Sequence, residues 1–569
     1  MLQRFQITVM SLVALVVALI WANIDHIRSV SGILSSWREP QKDERCSKSV
    51  IKLALIEGLD IVSLQTRLVY NDSVETSEGL YWNNYAIKAS GLNFCQVTVM
   101  YGHSGQNDAG IKTIIMLPLE DWNGRIQAVG GGGFIAGTFP GPMKAALSEG
   151  YAVVSTDAGV SIAGMPTLGL SNSVIHWGLL SKGNPNVVQF LNFASRAISE
   201  APLFAKAVTQ LFYGKPARYT YFNGCSTGGR QAYMLAQRYP GSYDGLLAGA
   251  PAINWAKFLT SDYFPQLIMN LESKYPRPCE MRAITHAAIK ACDGIDGVED
   301  GVIMDPDECF FDPFSLVGQE VSCNDSLPGS EMKAVKISPV AATAAKAAWT
   351  GYRSLDDKAS WYGVSPGANL TGILELANTV CNDDANGDCQ GAPFEISADW
   401  IRLFVLKDKD ADLRNLTHKQ FDRVFQLAVQ EWSSLISTDD PDMRAFAETG
   451  GKLITWHGLD DQHIQPNGTK EYYLRSMDID PHLRDYHRYF PVPGIGHCFG
   501  GHGAFPGTAL SALVSWVEDG IEPDVIHGRS SMDGKERPIC SYPKIARWTG
   551  NPDTKQATSF ECVPLEMDD

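Results

Sequence analysis

Residues Asn223–Arg230 read N-G-C-S-T-G-G-R, and this stretch decides the fold that we predict for the chain. It lies between a β-prone run, Tyr219–Phe222, and a helix-prone run. A serine in such a strand–turn–helix turn has a strained backbone, and small neighbours let the strand and helix pass closely. We therefore predict a nucleophile elbow at Ser226, with Gly224 and Gly228 as the small neighbours. A glycine-rich turn without chemistry is the alternative that the motif alone leaves open.

Two later segments offer a base and a carboxylate for this serine. A nucleophilic serine needs an imidazole to take its proton and an acid to orient that imidazole. Lys452–Trp456 reads as a buried strand ending in H-G-L-D-D-Q-H-I, and Tyr486–Val492 reads as another ending in P-G-I-G-H-C. Open α/β sheets place their sites at the carboxyl ends of strands, and α/β-hydrolases use the chain order Ser, Asp, His. Asp461 and His497 are therefore the best candidates.

Three neighbouring residues compete for these roles, namely His457, Asp460 and His463. A histidine beside a turn is more often a solvated or capping residue than a base. His497 is favoured because it follows the last strong strand in a glycine-flanked loop, with a final core helix at Ala509–Glu518 after it.

Seven β-prone runs separated by helical patterns predict a doubly wound α/β sheet of the α/β-hydrolase type. The runs are Ile111–Leu117, Arg125–Val129, Ala152–Thr156, Tyr219–Phe222, Gly245–Ala248, Lys452–Thr455 and Arg488–Val492. A long interval, residues 254–450, separates the fifth from the sixth. We predict a catalytic domain formed by residues 46–253 and 451–569, and a lid domain inserted between them.

The N-terminus and the composition indicate export. An almost uninterrupted apolar run, Ile7–Ile24, follows Arg4, so residues 1–24 are predicted to be a secretory signal peptide. An uncleaved signal anchor is the alternative, because about 18 apolar residues can span a bilayer. Twelve cysteines and five N-x-S/T acceptors suit a secretory pathway. The net charge of −17 argues against a nucleic-acid partner, so we expect a secreted protein that contacts a membrane only if the anchor is retained.

Two cysteines flank the proposed proton-transfer pair. Cys225 precedes Ser226 and Cys498 follows His497, so a disulfide between them would hold the pair together; it requires Cα atoms roughly 4.4–6.8 Å apart. In this Cys-Ser, Asp, His-Cys arrangement the chain resembles the tannase and feruloyl esterase family. The resemblance covers roughly residues 46–562 and includes W-N-G-R-I-Q-A-V-G-G-G-G-F at 122–134, Y-A-V-V-S-T-D-A-G at 151–159 and Y-D-G-L-L-A-G-A-P-A at 243–252. It departs from the family pattern at Val160, where a histidine is expected.

The resemblance implies a structural calcium ion in the segment Cys292–Cys309, which reads C-D-G-I-D-G-V-E-D-G-V-I-M-D-P-D-E-C. Aspartates alternating with glycines can curl a loop until hard oxygens converge on a cation. The loop is not an EF-hand, because Met304 stands where a bidentate glutamate is required. The ligands carried over from the family are the carboxylates of Asp293, Asp296 and Asp300 and the backbone carbonyls of Val298 and Val302. From the residues alone, a solvated Asp-Gly turn held by the two cysteines is an equal alternative.

The resemblance also assigns disulfides to most of the remaining cysteines. They are Cys46, Cys95, Cys292, Cys309, Cys540 and Cys562. The sequence does not fix the partners of the other four, and our interpretation pairs Cys279 with Cys323 and Cys381 with Cys389.

An oxyanion hole is expected from backbone N–H groups. One would come from Thr227 and the other from the glycine run 130–133, within which we select Gly132. Neither a G-K-[ST] nor a G-x-G-x-x-G phosphate-binding pattern is present in that run, and an ordinary tight turn is the alternative.

These features together predict a secreted serine carboxylic ester hydrolase that uses a Ser-His-Asp acyl-enzyme mechanism and no redox cofactor. The resemblance implies esters of aromatic acids as substrates, either small molecules or groups linked to polysaccharide, with feruloyl-type hydroxycinnamates preferred. A tannase that cleaves galloyl esters is the close alternative. A non-catalytic extracellular binding protein is the remote one, and the intact Ser, Asp and His argue against it.

Overall fold

The computed structural model describes residues 43–108, 110–160, 174–323, 333–372, 374–382 and 388–565. The predicted signal peptide, residues 1–24, lies outside these ranges. Within them, no helix is both long and apolar enough to cross a bilayer.

A nine-stranded mixed sheet forms the centre of the fold. Its strands are β1 (Leu59–Thr76), β2 (Ile87–His103), β3 (Ile111–Pro118), β4 (Arg125–Val129), β5 (Ala152–Thr156), β6 (Tyr219–Cys225), β7 (Gly245–Gly249), β8 (Lys452–Gly458) and β9 (His487–Val492). Their order across the sheet is β1-β2-β3-β5-β4-β6-β7-β8-β9. Six strands, β4 to β9, run parallel to one another, and β1, β2 and β3 join them as antiparallel strands at one edge. All seven predicted strands are present, so the predicted sheet is confirmed.

Helices on both faces cover the parallel strands, as expected for a doubly wound sheet. The α-helices are α1 (Pro140–Ser148), α2 (Val187–Leu191), α3 (Ala197–Tyr213), α4 (Thr227–Arg238), α5 (Trp255–Ser261), α6 (Phe264–Glu272), α7 (Pro278–Cys292), α8 (Pro339–Thr350), α9 (Glu395–Asp399), α10 (His418–Ile436), α11 (Arg444–Glu448), α12 (Pro466–Ile479) and α13 (Ala509–Asp519). Strands β5 and β7 are buried along their whole length because helices cover them on both sides.

The antiparallel edge, β1 and β2, was missed by the sequence analysis. These are the two longest strands, with 18 and 17 residues. β1 is mostly exposed or half-buried, and its register against β2 shifts between Val69 and Ser73, where the chain reads V-Y-N-D-S. A strand that is largely solvated and bulged at polar residues lacks the apolar run that reveals a buried strand.

Residues 254–450, between β7 and β8, form a helical insertion that contains α5–α11. A single cluster of buried side chains runs from Phe222 on β6 and Leu246 on β7 to Trp400 and Phe404 in the insertion. The insertion therefore shares the core of the α/β unit on which it packs.

Short two-stranded ribbons complete the fold. They are Leu179–Ser181 with Asn184–Pro185, Glu320–Cys323 with Lys333–Lys336, Thr379–Cys381 with Cys389–Gly391, Val525–Arg529 with Glu536–Cys540, and Lys544–Trp548 with Phe560–Pro564. Six disulfides pair all twelve cysteines, as Cys46–Cys95, Cys225–Cys498, Cys279–Cys323, Cys292–Cys309, Cys381–Cys389 and Cys540–Cys562. The interpreted pairs Cys279–Cys323 and Cys381–Cys389 are therefore confirmed.

Candidate active site

Ser226 occupies the sharp turn between β6 and α4, with φ 63° and ψ −121°. Its N–H donates to the carbonyl oxygen of Gly249 at the end of β7, which holds the turn against the sheet. A Cβ added to Gly224 would lie 2.6 Å from the backbone carbon of Gly228, too close for any side chain. The predicted strained elbow and the role of these two glycines are confirmed by this geometry.

The loops after β8 and β9 bring an acid and a histidine to this serine. His497 Nε2 lies 2.9 Å from Ser226 Oγ, and His497 Nδ1 lies 2.8 Å from Asp461 Oδ2. Asp461 is fully buried, and both of its carboxylate oxygens face nitrogen atoms within hydrogen-bond distance. The structure thus joins the three predicted residues in one hydrogen-bonded chain.

Asp461 is held as the ionised form. Its Oδ1 accepts the backbone N–H groups of His463 and Ile464, each at 2.8 Å, and its Oδ2 also lies 3.0 Å from His457 Nε2. Burial acts to raise the pKa of this carboxyl, but His497 and His457 outweigh it and hold the pKa well below its ordinary value. The acid therefore carries the negative charge that an oriented imidazole requires.

Two of the three competing residues, Asp460 and His463, have side chains outside this chain of hydrogen bonds, whereas His457 binds Asp461 Oδ2. Asp460 Oδ1 accepts a hydrogen bond from Ser365 Oγ of the insertion at 2.7 Å, and burial raises the pKa of Asp460 to about 6. The ring of His463 packs edge-on to that of His497 with 4.8 Å between centroids, and burial lowers the pKa of His463 to about 3. Neither contacts Ser226 in a described hydrogen bond.

The oxyanion donor selected from sequence, Gly132, is wrong in this geometry. Its N–H donates to the carbonyl oxygen of Ile135 at 3.0 Å, so it cannot also turn to a substrate. The next residue, Gly133, has φ 55°, and its carbonyl oxygen accepts the Thr227 hydroxyl at 2.7 Å. No described residue accepts a hydrogen bond from the N–H of Gly133 or of Thr227, so both groups remain available as donors.

The Cys225–Cys498 disulfide joins the residue before Ser226 to the residue after His497. Its Cα atoms are 5.9 Å apart, and both cysteines are buried. The predicted covalent link between the elbow and the histidine loop is confirmed.

The insertion reaches this cluster through Phe394. Its ring stacks on His463 with 4.8 Å between centroids, and His463 in turn contacts His497. A cavity of about 1150 Å³ lies elsewhere, between the insertion and residues such as Leu459 and Tyr489, and none of Ser226, Asp461 and His497 lines it. A pocket away from the nucleophile cannot hold a scissile bond, so this cavity is not the acyl site.

Arg230, the last residue of the elbow motif, has a structural role that the sequence did not reveal. Its side chain is fully buried, donates to the carbonyl oxygens of Ala194 and Ile436, and lies over the rings of Phe193 and Trp255. Burial lowers the pKa of Arg230 to about 9. Ile436 belongs to α10, so this arginine ties the elbow helix to the insertion.

The loop of the predicted calcium site is closed by Cys292–Cys309 and braced internally. Asp293 accepts the backbone N–H groups of Asp300, Gly301 and Val302, and Asp296 accepts that of Val298. Burial, with the neighbouring Asp300 and Asp293, raises the pKa of Asp296 to about 6.

The donor set of this loop fits calcium in chemistry, because it consists only of hard oxygens. The carboxylates of Asp293, Asp296 and Asp300 lie farther apart than the ligands of an assembled metal site. Among the described residues, the only group of three His, Cys, Asp or Glu ligand atoms all within 4.8 Å of one another is at Asp461, His463 and His497. Two cations, Lys535 and Arg537, already pair with Asp300.

The loop also contacts the histidine loop, which the sequence did not reveal. A Cβ on Gly494 would lie 2.8 Å from Val302 Cγ2, and one on Gly301 would lie 3.6 Å from the ring of His502. The carboxyl half of this loop therefore packs against the segment that carries His497, although the loop itself lies in the insertion.

An elbow serine, a histidine after the last parallel strand and an acid after the strand before it define an α/β-hydrolase. The model of the family described as tannase and feruloyl esterase matches residues 95–563. The chain belongs to this family and is a carboxylic ester hydrolase.

Individual relatives agree with this placement. A protein of Arthroderma benhamiae named probable feruloyl esterase is 40% identical over 483 residues, covering 83% of this chain and 86% of its own length. A probable feruloyl esterase B-2 of Aspergillus fumigatus is 31% identical over 429 residues, covering 70% and 76%. The solved structure of a tannin acyl hydrolase from Aspergillus niger superposes with a TM-score of 0.80 at 27% identity, covering 92% of this chain and 95% of that one. Feruloyl esterase B from Aspergillus oryzae shares the fold, with a TM-score of 0.70 at 24% identity over 91% and 99%.

Proposed function

We propose that Ser226, His497 and Asp461 hydrolyse a carboxylic ester through an acyl-enzyme. The observation that carries this proposal is the continuous chain from Ser226 Oγ to His497 Nε2 (2.9 Å) and from His497 Nδ1 to Asp461 Oδ2 (2.8 Å). Distances of this size are those needed for proton transfer and for orienting the imidazole.

The proposed reaction has two stages, acylation of Ser226 and hydrolysis of the acyl-enzyme. Ser226 Oγ attacks the ester carbonyl carbon while His497 Nε2 takes the hydroxyl proton. The N–H groups of Thr227 and Gly133 hold the developing oxyanion. His497 then returns the proton to the departing alcohol oxygen, leaving an acyl-Ser226 ester. A water molecule, deprotonated by His497, attacks that ester, and His497 returns the proton to Ser226 Oγ as the bond between Oγ and the acyl carbon breaks and the carboxylic acid leaves.

The acyl group of the substrate is proposed to be a hydroxycinnamic acid of the feruloyl type, attached to a small alcohol or to a polysaccharide. The support is the recurrence of feruloyl esterase in the names of relatives that span most of the chain. Galloyl esters are the second candidate, favoured by the superposition on a tannin acyl hydrolase.

A calcium ion bound by Asp293, Asp296, Asp300 and the carbonyls of Val298 and Val302 is also proposed. It would neutralise the crowded carboxylates and stabilise the loop, with no part in the bond-breaking steps. The protein is proposed to work outside the cell, which is supported by six disulfides that require an oxidising compartment.

Turnover of methyl ferulate, methyl caffeate and methyl gallate by the wild type and by Ser226→Ala tests this proposal. Loss of the nucleophile should lower kcat by several powers of ten, on the order of the 10⁶-fold seen for triads of this kind. Labelling of the wild type by a fluorophosphonate, absent in Ser226→Ala, should accompany it and would exclude a purely binding role. Ordinary turnover by a folded Ser226→Ala protein would refute the mechanism, and faster turnover of methyl gallate would reverse the choice of acyl group.

A further inference from the structure

We propose that His457 is a positioning residue for the triad, because it holds Asp461 through the same carboxylate oxygen that binds His497. This inference rests on the proposed function of Ser226, His497 and Asp461. From the sequence alone, His457 is only a competitor of His497 for the role of base.

One ring nitrogen of His457 faces two acceptors. His457 is on β8, next to its last residue, and is fully buried. Its Nε2 lies 3.0 Å from Asp461 Oδ2 and 3.1 Å from the carbonyl oxygen of Ile464. Both neighbours only accept, so Nε2 must carry the proton and donate it.

The other ring nitrogen is fixed from α12. His457 Nδ1 lies 2.9 Å from the hydroxyl of Thr469. The Thr469 hydroxyl can either donate to Nδ1 or accept from it, so this contact holds the ring whichever of the two atoms carries the proton. Both ring nitrogens thus have partners, and the ring orientation is set by β8, the loop after it and α12.

This arrangement has a chemical consequence for His497. Asp461 Oδ2 shares its negative charge between two N–H donors, so it attracts His497 less strongly than a carboxylate bound by that histidine alone. A weaker attraction stabilises the imidazolium of His497 less than a carboxylate bound by that histidine alone would. His457 also prevents the carboxylate from rotating away from His497.

A buried histidine that only fills space would not have this effect, and the two roles separate in the pH profile. The other titratable groups around Asp461 are His463, whose ring contacts His497, and Asp262, a buried carboxyl whose Oδ1 accepts from Gln465. Both are unchanged in the variants below, so a difference between variants reports on His457.

The experiment compares His457→Leu with His457→Gln. Leucine removes the donor but keeps an apolar buried side chain, whereas the amide nitrogen of glutamine can take the place of Nε2. The measurements are kcat/KM for methyl ferulate against pH and the rate of fluorophosphonate labelling of Ser226 against pH, both below the melting temperature of each variant.

For His457→Leu we expect the acid limb of both profiles to move to higher pH than in the wild type, because the whole charge of Asp461 Oδ2 then faces His497. We also expect kcat to fall by up to about 10²-fold, the cost of a misplacement near 1 Å. The glutamine variant should return both profiles toward the wild type. Identical acid limbs in the leucine and glutamine variants would overturn the inference.

A second pair of variants keeps the inference testable if His457→Leu does not fold. Thr469→Val removes the hydroxyl that fixes the ring, and Thr469→Ser retains it. We expect Thr469→Val alone to shift the acid limb upward, and equal profiles for the two variants would count against the inference. Absence of any labelling in the wild type would instead refute the proposed function itself, so the two failures are distinguishable.

Discussion

The hydroxyl of Thr227 donates a hydrogen bond to the carbonyl oxygen of Gly133 at 2.7 Å, and this bond joins the two backbone segments whose N–H groups are proposed to hold the oxyanion. Thr227 begins the elbow helix, whereas Gly133 lies in the loop after β4. The side chain of one donor residue therefore fixes the position of the other.

Thr227→Val is expected to lower kcat with little change in KM, because valine has the same shape but cannot tether Gly133. Loss of one oxyanion donor costs about 10²–10³-fold in kcat, and a displaced donor should approach the lower value. Steady-state kinetics on methyl ferulate checks this, with Thr227→Ser as the variant that keeps the hydroxyl. If valine and serine behave alike, the tether has no part in holding the oxyanion.

The identity of the acid is tested by a pair of neighbouring substitutions. Asp461→Asn should cost on the order of 10⁴-fold in kcat, because an amide favours the wrong tautomer of His497. Asp460→Asn should cost far less, because Asp460 binds Ser365 and not His497. Measured values of kcat in the opposite order would exchange the roles of the two residues.

The sequence was sufficient for the positions of Ser226, Asp461 and His497 because each follows an apolar strand whose end is visible in the local pattern. It was insufficient for Gly133, since the choice among four consecutive glycines depends on which N–H is taken by Ile135. It was also insufficient for the contact between Val302 and Gly494, which arises from packing of segments almost 200 residues apart. Local periodicity predicts elements and their ends, whereas long-range contacts decide which backbone groups stay free.

A pH dependence of stability is expected from His103. Its Nδ1 lies 2.6 Å from Asp108 Oδ2 and its Nε2 lies 2.7 Å from Glu200 Oε1. Burial acts to lower the pKa of His103, but these two carboxylates outweigh it and raise the pKa above its usual value. The stabilisation is thus fully present below about pH 6.5, the unfolded value, and is lost as the pH rises through the higher folded value.

The thermal unfolding midpoint, Tm, should therefore decline between about pH 6 and 8 more steeply in the wild type than in His103→Gln. Glutamine can keep hydrogen bonds to the carboxylates but carries no titrating charge. The difference in Tm between the two proteins should be largest at the acid end of this range. A constant difference across the range would show that His103 does not titrate with folding.

Removal of calcium is expected to lower Tm by mass action, because only the folded loop gathers the donor oxygens. Asp296→Asn should reduce the effect of a chelator, because Asp296 has no side-chain cation in a described ion pair, unlike Asp300, and accepts one backbone N–H group where Asp293 accepts three. Asp305→Asn, in the same loop but outside the donor set, serves as the control. If metal analysis of carefully prepared protein finds no bound calcium, the proposed site is refuted. Lys535 and Arg537 would then be the cations that balance Asp300.

The Cys225–Cys498 disulfide is expected to matter for kcat as well as for stability. The disulfide closes a loop of 273 residues. By the chain-entropy model, this loop raises the free energy of the unfolded state by about 5 kcal/mol. The catalytic effect is separate, because the bond fixes Ser226 and His497 at the distance that proton transfer requires, and a shift near 1 Å can cost about 10²-fold.

Replacing both cysteines by alanine should then depress kcat even at temperatures where the variant remains folded. The matched control is the alanine pair at Cys540 and Cys562, a disulfide between two short ribbons that contains none of the proposed catalytic residues. Loss of the Cys540–Cys562 disulfide should lower Tm but leave kcat close to the wild-type value at low temperature. Equal kcat in the two double variants would mean that the sheet and the loop hydrogen bonds hold Ser226 and His497 in register without the covalent link.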